Sequence, residues 1–205
     1  NSPKYAAWTK ASTKIVLKKF FLWLEYGDDY VELDSTPEKY KWLKTTVPKK
    51  ERVKVRASDI LTENEIDRLI KAAENLRDKA YIILSYELGA RIGEIGPLKI
   101  KDVTRDKYSY LIDLFGKTGH RTSRAIIAAP YLTNWLNNHP MKDDPEAPLW
   151  VLVGNRKLGN PVRYYSLKSL IDRAAKRAGI KKKVYPHLFR HTRVTHVLAS
   201  GLMND

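Results

Sequence analysis

The stretch 185-YPHLFRHTRVTH-196, near the C-terminus, carries the most informative pattern in the chain. Pro186 is suited to the first turn of a helix, because its missing N–H would have no intrahelical partner there. On such a helix His187, Arg190 and His191 share one face. A proton-transfer group and a guanidinium fork would then point at one spot, which suits a phosphate. Solvated helical surfaces show the same residues, so the pattern requires support from elsewhere in the chain.

The composition favours a polyanionic partner. The 205 residues include 38 Lys and Arg against 23 Asp and Glu, a formal net charge of +15. Nucleic acid is the first candidate, and an anionic membrane surface is the second. The charge is concentrated near the opening stretch, because from residue 161 onward there are ten Lys or Arg and only two acids.

The absence of cysteine excludes disulfides and cysteine-ligated zinc and indicates an intracellular setting. The sequence contains neither an apolar run of about 18 residues nor an N-terminal signal pattern. We therefore expect a soluble protein without a membrane span, located in the cytoplasm.

Three parts are predicted along the chain: residues 1–47, a basic linker over 48–57, and a larger unit over 58–205. The first part contains an amphipathic helix over Ser12–Tyr26, which begins at a capping serine and stops before a glycine. The stretch Val47–Arg56 has five Lys or Arg against one Glu and no helical apolar stripe. In this linker we take Lys49, Lys50 and Arg52 as candidate contacts to a phosphate backbone. An ordinary solvated loop is the alternative.

The larger unit is predicted to be mainly α-helical with a small antiparallel β-sheet, an α+β fold. Thr62 and Glu65 have the spacing of a capping box, which marks a helix start. The apolar segment Arg77–Leu88 predicts a buried helix that ends at Gly89. Further helices are predicted over 130–138 and 164–178, and a hairpin is predicted from strands Tyr108–Phe115 and Ser123–Ala128.

Two charged positions stand out beside these elements. Arg91 follows the buried helix, and Glu94 is its nearest acidic neighbour. A simple buried ion pair and a functional arginine are both consistent with this placement. Lys117 lies in the hairpin connection GKTGHR, where it is either solvated or delivered into a groove. A P-loop is excluded because residue 111 is leucine and a strand follows, so no nucleotide is expected.

His187 and His191 have the spacing of a helical zinc site. The sequence between them lacks the glutamate of the H-E-x-x-H arrangement, so no metal is predicted. His191 is expected to pack locally or to contact a DNA backbone.

Three motifs in this order resemble those of the tyrosine recombinase, or phage integrase, family, particularly its archaeal integrases. They are 89-GARIGEI-95, 116-GKTGHRTSR-124 and 187-HLFRHTRVTH-196. The resemblance runs from about Ser58 to Met203. The residues before it look like the end of a helical, SAM-like core-binding domain.

The resemblance implies roles for five residues in strand cleavage and rejoining at a DNA phosphodiester. Arg91 and Arg190 would bind the non-bridging oxygens, where negative charge develops in the transition state. Lys117 would protonate the leaving 5′-oxygen, and His187 would assist proton transfer at the nucleophile. Glu94 would orient Arg91 or the neighbouring histidine. This chemistry requires neither a cofactor nor a metal.

The family resemblance also implies partners. Double-stranded DNA is the expected substrate, and a homo-tetramer is expected on recombining sites. The basic residues around the opening stretch are candidate DNA contacts: Lys181, Lys182, Lys183 and Arg193.

The nucleophile is where this sequence departs from the family pattern. The tyrosine that becomes linked to the DNA 3′-phosphate follows the H-x-x-R helix in the family. The last of the twelve tyrosines here is Tyr185, which precedes Arg190. We therefore expect the 205 residues alone to bind DNA without forming a covalent adduct. A non-catalytic DNA-binding protein with this fold and, less favoured, a type IB topoisomerase are the alternatives.

Overall fold

The structure is a computed structural model that describes residues 5–51, 55–117, 119–154 and 158–201, with only the backbone given for Lys50. The chain divides into two compact units, Asn1–Lys54 and Val55–Asp205. This boundary lies within the stretch predicted as a linker, and the assignment of the first unit to a core-binding domain stays a prediction. None of the helices among the described residues is long and apolar enough to cross a membrane.

The first unit is built on helix α1, Ala7–Tyr26, which begins five residues before the predicted capping serine. The segment predicted as a short helix after Pro37 forms only a 3-10 turn, Glu38–Tyr40. Tyr40 connects this turn to α1, because its ring stacks on that of Phe21 with centroids 6.1 Å apart. Its hydroxyl also donates a 2.7 Å hydrogen bond to the Glu25 carboxylate.

The described part of the second unit is mainly helical with one small sheet, which confirms the predicted fold class. Its three strands form one antiparallel sheet and lie side by side in the order of the sequence. The helices are α2 (Glu63–Ala72), α3 (Leu76–Leu88), α4 (Ile92–Ile95), α5 (Ala129–Asn137), α6 (Tyr164–Arg177) and α7 (Pro186–Ala199), and the strands are β1 (Val103–Arg105), β2 (Tyr110–Gly116) and β3 (Gly119–Ala125).

Local signals in the sequence set several helix ends. The capping box is present at α2, where the Thr62 hydroxyl accepts from the Glu65 N–H at 3.2 Å. In return, the Glu65 carboxylate accepts from the Thr62 N–H at 2.8 Å. Helix α3 ends at Gly89, whose φ of +52° is left-handed, a conformation that other residues adopt only with strain.

The hairpin is tighter than the sequence predicted. Gly116 pairs directly with Gly119, so the connection contains only residues 117 and 118. The prediction of a loop connection as far as Arg121 is wrong, because the polar run after Gly119 lacks apolar alternation and yet pairs with β2. Its side chains have partners across the sheet, such as the 2.5 Å hydrogen bond from Thr122 to Asp113. Residues 126–128 are not strand, because their N–H groups donate to the buried carboxylate of Glu87 instead.

The core surrounds α3 and positions the elements that follow it. The rings of Tyr81 and Trp150 pack edge to face with centroids 5.3 Å apart. The Trp150 indole N–H donates to the carbonyl oxygen of Ile95 at 2.7 Å, which ties α4 to the core. Leu188 and Phe189 of α7 are fully buried. Both α4 and α7 are therefore fixed near the C-terminal end of α3.

Candidate active site

Arg91 lies at the N-terminus of α4 and is held by Glu94 in two ways. Its backbone N–H donates to Glu94 Oε2 at 3.0 Å, and its guanidinium donates to Oε1 at 3.0 Å. The Glu94 side chain is only 2% exposed, whereas that of Arg91 is 46% exposed. Of the two interpretations left open by the sequence, the ion pair is present, and a functional role for Arg91 stays a prediction. The ion pair exists, but only its carboxylate is buried, and the guanidinium remains accessible.

Arg121 of β3 is a second partner of the same carboxylate. Its guanidinium donates to Glu94 Oε2 at 2.8 Å. The hydrogen bond from Arg121 lowers the pKa of Glu94 to about 2, together with the Arg91 contacts and against the opposing effect of burial. Glu94 is therefore ionised throughout the physiological range, and its charge is shared between two arginines.

The hairpin approaches this carboxylate closely. A Cβ atom placed on Gly116 would lie 2.5 Å from Glu94 Oε1, so only glycine fits there without displacing the glutamate. Lys117 follows at once, with an exposed side chain. Gly116 thus allows the backbone beside Lys117 to lie against Glu94, the hydrogen-bond partner of Arg91.

Arg190 is positioned from the other side. Its guanidinium donates to the carbonyl oxygen of Gly89 at 2.9 Å, two residues before Arg91. The helix that carries it is anchored by Thr192, whose buried hydroxyl accepts from the Leu61 N–H at 3.3 Å. Contacts therefore connect all three sequence motifs, from α7 through the end of α3 and α4 to the hairpin.

The three histidines of α7 differ in their surroundings. His187 lies on α7 one turn before Arg190, with an exposed side chain. His191 is exposed as well. His196, at the end of the same helix, is a structural residue, because its Nδ1 lies 2.8 Å from the hydroxyl of Tyr86.

The residues predicted to contact DNA differ in their exposure and in their partners within the protein. Lys181, Lys183 and Lys49 are exposed. Lys182 differs, because its ammonium donates to the Ile60 carbonyl oxygen and to Glu65 Oε2, both at 2.7 Å. The Arg193 guanidinium lies 5.8 Å from the centroid of the Tyr86 ring. The side chain of Lys50 and the whole of Arg52 lie outside the described residues.

Sequence reasoning missed Arg121 and the close approach of Gly116. Arg121 pairs with Leu114 across the hairpin, and Leu114 is fully buried. Opposed residues lie on the same face of a sheet, so Arg121 lies on the core-facing side. The signal was available in principle, since Arg121 has the same strand parity as the buried Ala125. Using this signal required the start of β3, which the sequence pattern placed at Ser123, after Arg121.

A comparison with protein-family models decides the affiliation of the chain. The model of the phage integrase family matches residues 59–204, nearly the whole second unit. The chain belongs to the phage integrase family. The three motifs lie within the matched region, and the resemblance noted in the sequence is confirmed at the level of the family.

Curated relatives of the chain include recombinases and a transposase. It is 31% identical over 170 residues to tyrosine recombinase XerA of Pyrococcus horikoshii, covering 83% of this chain and 55% of the relative. It is 30% identical over 160 residues to transposase A of transposon Tn554 from Staphylococcus aureus, covering 73% and 44% respectively. The chain therefore spans about half the length of these relatives.

Solved structures share the fold of the chain. The crystal structure of XerA recombinase matches with a TM-score of 0.61 and 28% identity, over 100% of this chain and 72% of that one. A lambda integrase dimer bound to a COC′ core site matches with a TM-score of 0.63 at 16% identity, over 93% and 68%. XerH recombinase bound to difH substrate matches with a TM-score of 0.56 at 21% identity, over 75% and 49%.

Proposed function

We propose that this integrase acts in site-specific DNA recombination, cutting and rejoining duplex DNA through a 3′-phosphotyrosyl intermediate. The observation that carries the proposal is the connected set of contacts among Arg190, Gly89, Arg91, Glu94 and the hairpin that bears Lys117. It supports two guanidinium groups and one ammonium group acting at a common phosphate. The phage integrase affiliation supports the same chemistry.

In the proposed step, a tyrosine hydroxyl oxygen attacks phosphorus and forms a new P–O bond; none of the twelve tyrosines of this sequence is assigned that role. The P–O5′ bond breaks, and the leaving oxygen takes a proton from Lys117. Arg91 and Arg190 neutralise the charge that grows on the non-bridging oxygens. His187 assists removal of the proton from the attacking hydroxyl, and Glu94 keeps Arg91 aimed at the phosphate. No cofactor is required for this exchange of one ester for another.

The proposed partner is double-stranded DNA in the cytoplasm, with no nucleotide or membrane. The net charge of +15 supports a large phosphate-contact contribution to binding. We further propose a homo-tetramer on two recombining sites. A neighbour in fold, lambda integrase, was crystallised as a dimer on a core site.

The first test maps the phosphate that the site recognises. A duplex selected by the protein from a random library would be resynthesised with a single neutral methylphosphonate at each position in turn. We expect one position at which loss of charge weakens binding by roughly a hundredfold, as for a phosphate held by several charge-assisted hydrogen bonds. Arg91→Ala or Arg190→Ala should remove most of this penalty. Equal small penalties at every position would contradict the proposal.

The second test separates a recombinase from the alternative of a non-catalytic DNA-binding protein. Peroxide is added as an external nucleophile to the protein on the selected duplex. A site that stabilises the transition state should direct strand cleavage to the mapped phosphate, whichever group attacks. Arg91→Ala should lower that rate by roughly a hundredfold. Binding at one site with no directed cleavage would favour the non-catalytic alternative.

A further inference from the structure

Two arginines of β3 have equal exposure but different partners. The side chains of Arg121 and Arg124 are each 37% exposed. Arg124 pairs at 2.7 Å with Asp106, in the turn between β1 and β2. Arg121 pairs at 2.8 Å with Glu94, whose side chain is 2% exposed. Of these two arginines, only Arg121 contacts a residue of the candidate active site.

The Glu94 carboxylate joins the two halves of that site. Its Oε1 accepts from the Arg91 guanidinium, and its Oε2 accepts from both the Arg91 N–H and the Arg121 guanidinium. A buried carboxylate held by several donors has little rotational freedom, because each lost hydrogen bond would leave a buried charge short of a partner. Glu94 therefore links the Arg121 side chain of β3 to Arg91 at the start of α4.

The other strand of the hairpin restricts the same carboxylate. The position of a Gly116 Cβ would be 3.1 Å from Glu94 Cγ and 2.5 Å from Oε1. The hairpin end thus touches Glu94 through Gly116 on β2 and through Arg121 on β3. Lys117 lies between these two contacts along the chain. The contacts of Gly116 and Arg121 with Glu94 therefore restrict the backbone position of Lys117.

We propose that Arg121 is a positioning residue for the reaction. Through Glu94 it holds the hairpin in register with Arg91, so that Lys117 and Arg91 reach the same DNA phosphate. This inference rests on the proposed function. Arg121 does not itself touch the reacting atoms, and its effect on the rate passes through the position of Lys117 relative to Arg91.

A purely structural role makes a different prediction. If Arg121 only neutralised the buried charge of Glu94, its loss would lower stability but would affect the reaction equally with and without Lys117. If it positions Lys117, its loss should matter only while Lys117 is present. A double-mutant cycle separates the two roles.

The experiment uses peroxide cleavage at the mapped phosphate with Arg121→Met, Lys117→Ala and the double variant. We expect Arg121→Met to lower the rate roughly tenfold, within the range found when outer partners of a preorganised site are removed. In the Lys117→Ala background the same change should alter the rate by less than about twofold. Arg124→Met is the matched control, with the rate unchanged within about twofold. Arg121→Lys, which keeps the charge and perturbs folding less, should lose less activity than Arg121→Met.

Hydrogen exchange of the free protein supplies a readout that does not depend on cleavage. Arg121→Met should speed exchange of the β2 and β3 amides at the Lys117 end of the hairpin. Arg124→Met should instead affect the end near Asp106. The inference is overturned if Arg121→Met lowers the rate equally with and without Lys117, or leaves exchange at the hairpin end unchanged. Absence of directed cleavage in the unaltered protein would instead contradict the proposed function, and the exchange result would still decide whether Arg121 holds the hairpin.

Discussion

The guanidinium of Arg190 donates a hydrogen bond to the main-chain carbonyl oxygen of Gly89 across 2.9 Å. This bond joins α7 to the residue that ends α3, two positions before Arg91. The backbone turn from Gly89 to Arg91 therefore positions both Arg91 and Arg190, the two arginines proposed to bind the phosphate. That turn depends on the left-handed conformation of Gly89, with φ of +52°.

Gly89→Ala should disturb the site as well as the stability. A side chain at this φ costs about 1–2 kcal/mol, which a shift of the backbone, and so of the Arg190 acceptor, would relieve. Gly179 is the matched control, since it has φ of +65° with no atom within 4 Å of an added Cβ. We expect both alanine variants to lose similar free energy of unfolding in urea. Only Gly89→Ala should reduce the loss of binding that a methylphosphonate at the mapped phosphate causes. A reduced penalty in both variants would contradict this account.

Lys117→Ala should slow departure of the 5′-oxygen. The exposed ammonium at the hairpin tip is the proposed acid, so its loss leaves the leaving group without a proton. A duplex with sulfur replacing the bridging 5′-oxygen has a better leaving group and should recover much of the rate of peroxide cleavage. Arg91→Ala should gain no comparable recovery, because its defect concerns the non-bridging oxygens. Equal rates of Lys117→Ala on both duplexes would exclude Lys117 as the acid.

Neighbouring lysines upstream of α7 should behave differently on alanine substitution. Lys181 and Lys183 are exposed, and each variant should lower the slope of log binding constant against log salt by about one. Lys182 is paired with Glu65 and the Ile60 carbonyl oxygen. Its loss should lower the free energy of unfolding by about 1 kcal/mol and leave the salt slope nearly unchanged. A full unit of slope lost in Lys182→Ala would show that its ammonium leaves Glu65 to bind DNA.

Glu94 should make stability depend on acidity. Its pKa in the folded protein is about 2, below its ordinary value of 4.5, so the unfolded chain binds more protons between these values. Its contribution is fully present above about pH 4.5 and is lost as the pH falls towards 2. Urea unfolding of Glu94→Gln across this window should show a flatter dependence. Other acids with lowered pKa, such as Asp106 and Asp113, titrate in both proteins, so the difference between the curves is the measurement. If the free energies of unfolding of the two proteins changed in parallel with pH, the lowered pKa of Glu94 would be contradicted.

Local chemistry in the sequence predicted those parts of the fold that depend on neighbouring residues. The α2 capping box, the glycine that ends α3 and the proline that opens α7 each act within a few positions of the chain. The Arg91–Glu94 pair has the same local character, because the glutamate lies one helical turn after the arginine. The spacing of three motifs was also sufficient to place the chain in its family.

Only the tertiary structure decided how far β3 extends and what its side chains contact. The run from Gly119 to Thr122 is strand because its partners lie on β2 and α4, and such partners leave no periodic apolar signal. The different environments of Lys181 and Lys182 likewise depend on the α2 glutamate, 117 residues before Lys182. Sequence pattern reports which residues could carry charge to a phosphate. Which of those charges are already paired within the fold is set by long-range packing, because the free energy of an ion pair depends on the burial and distance of groups that meet only after the chain has folded.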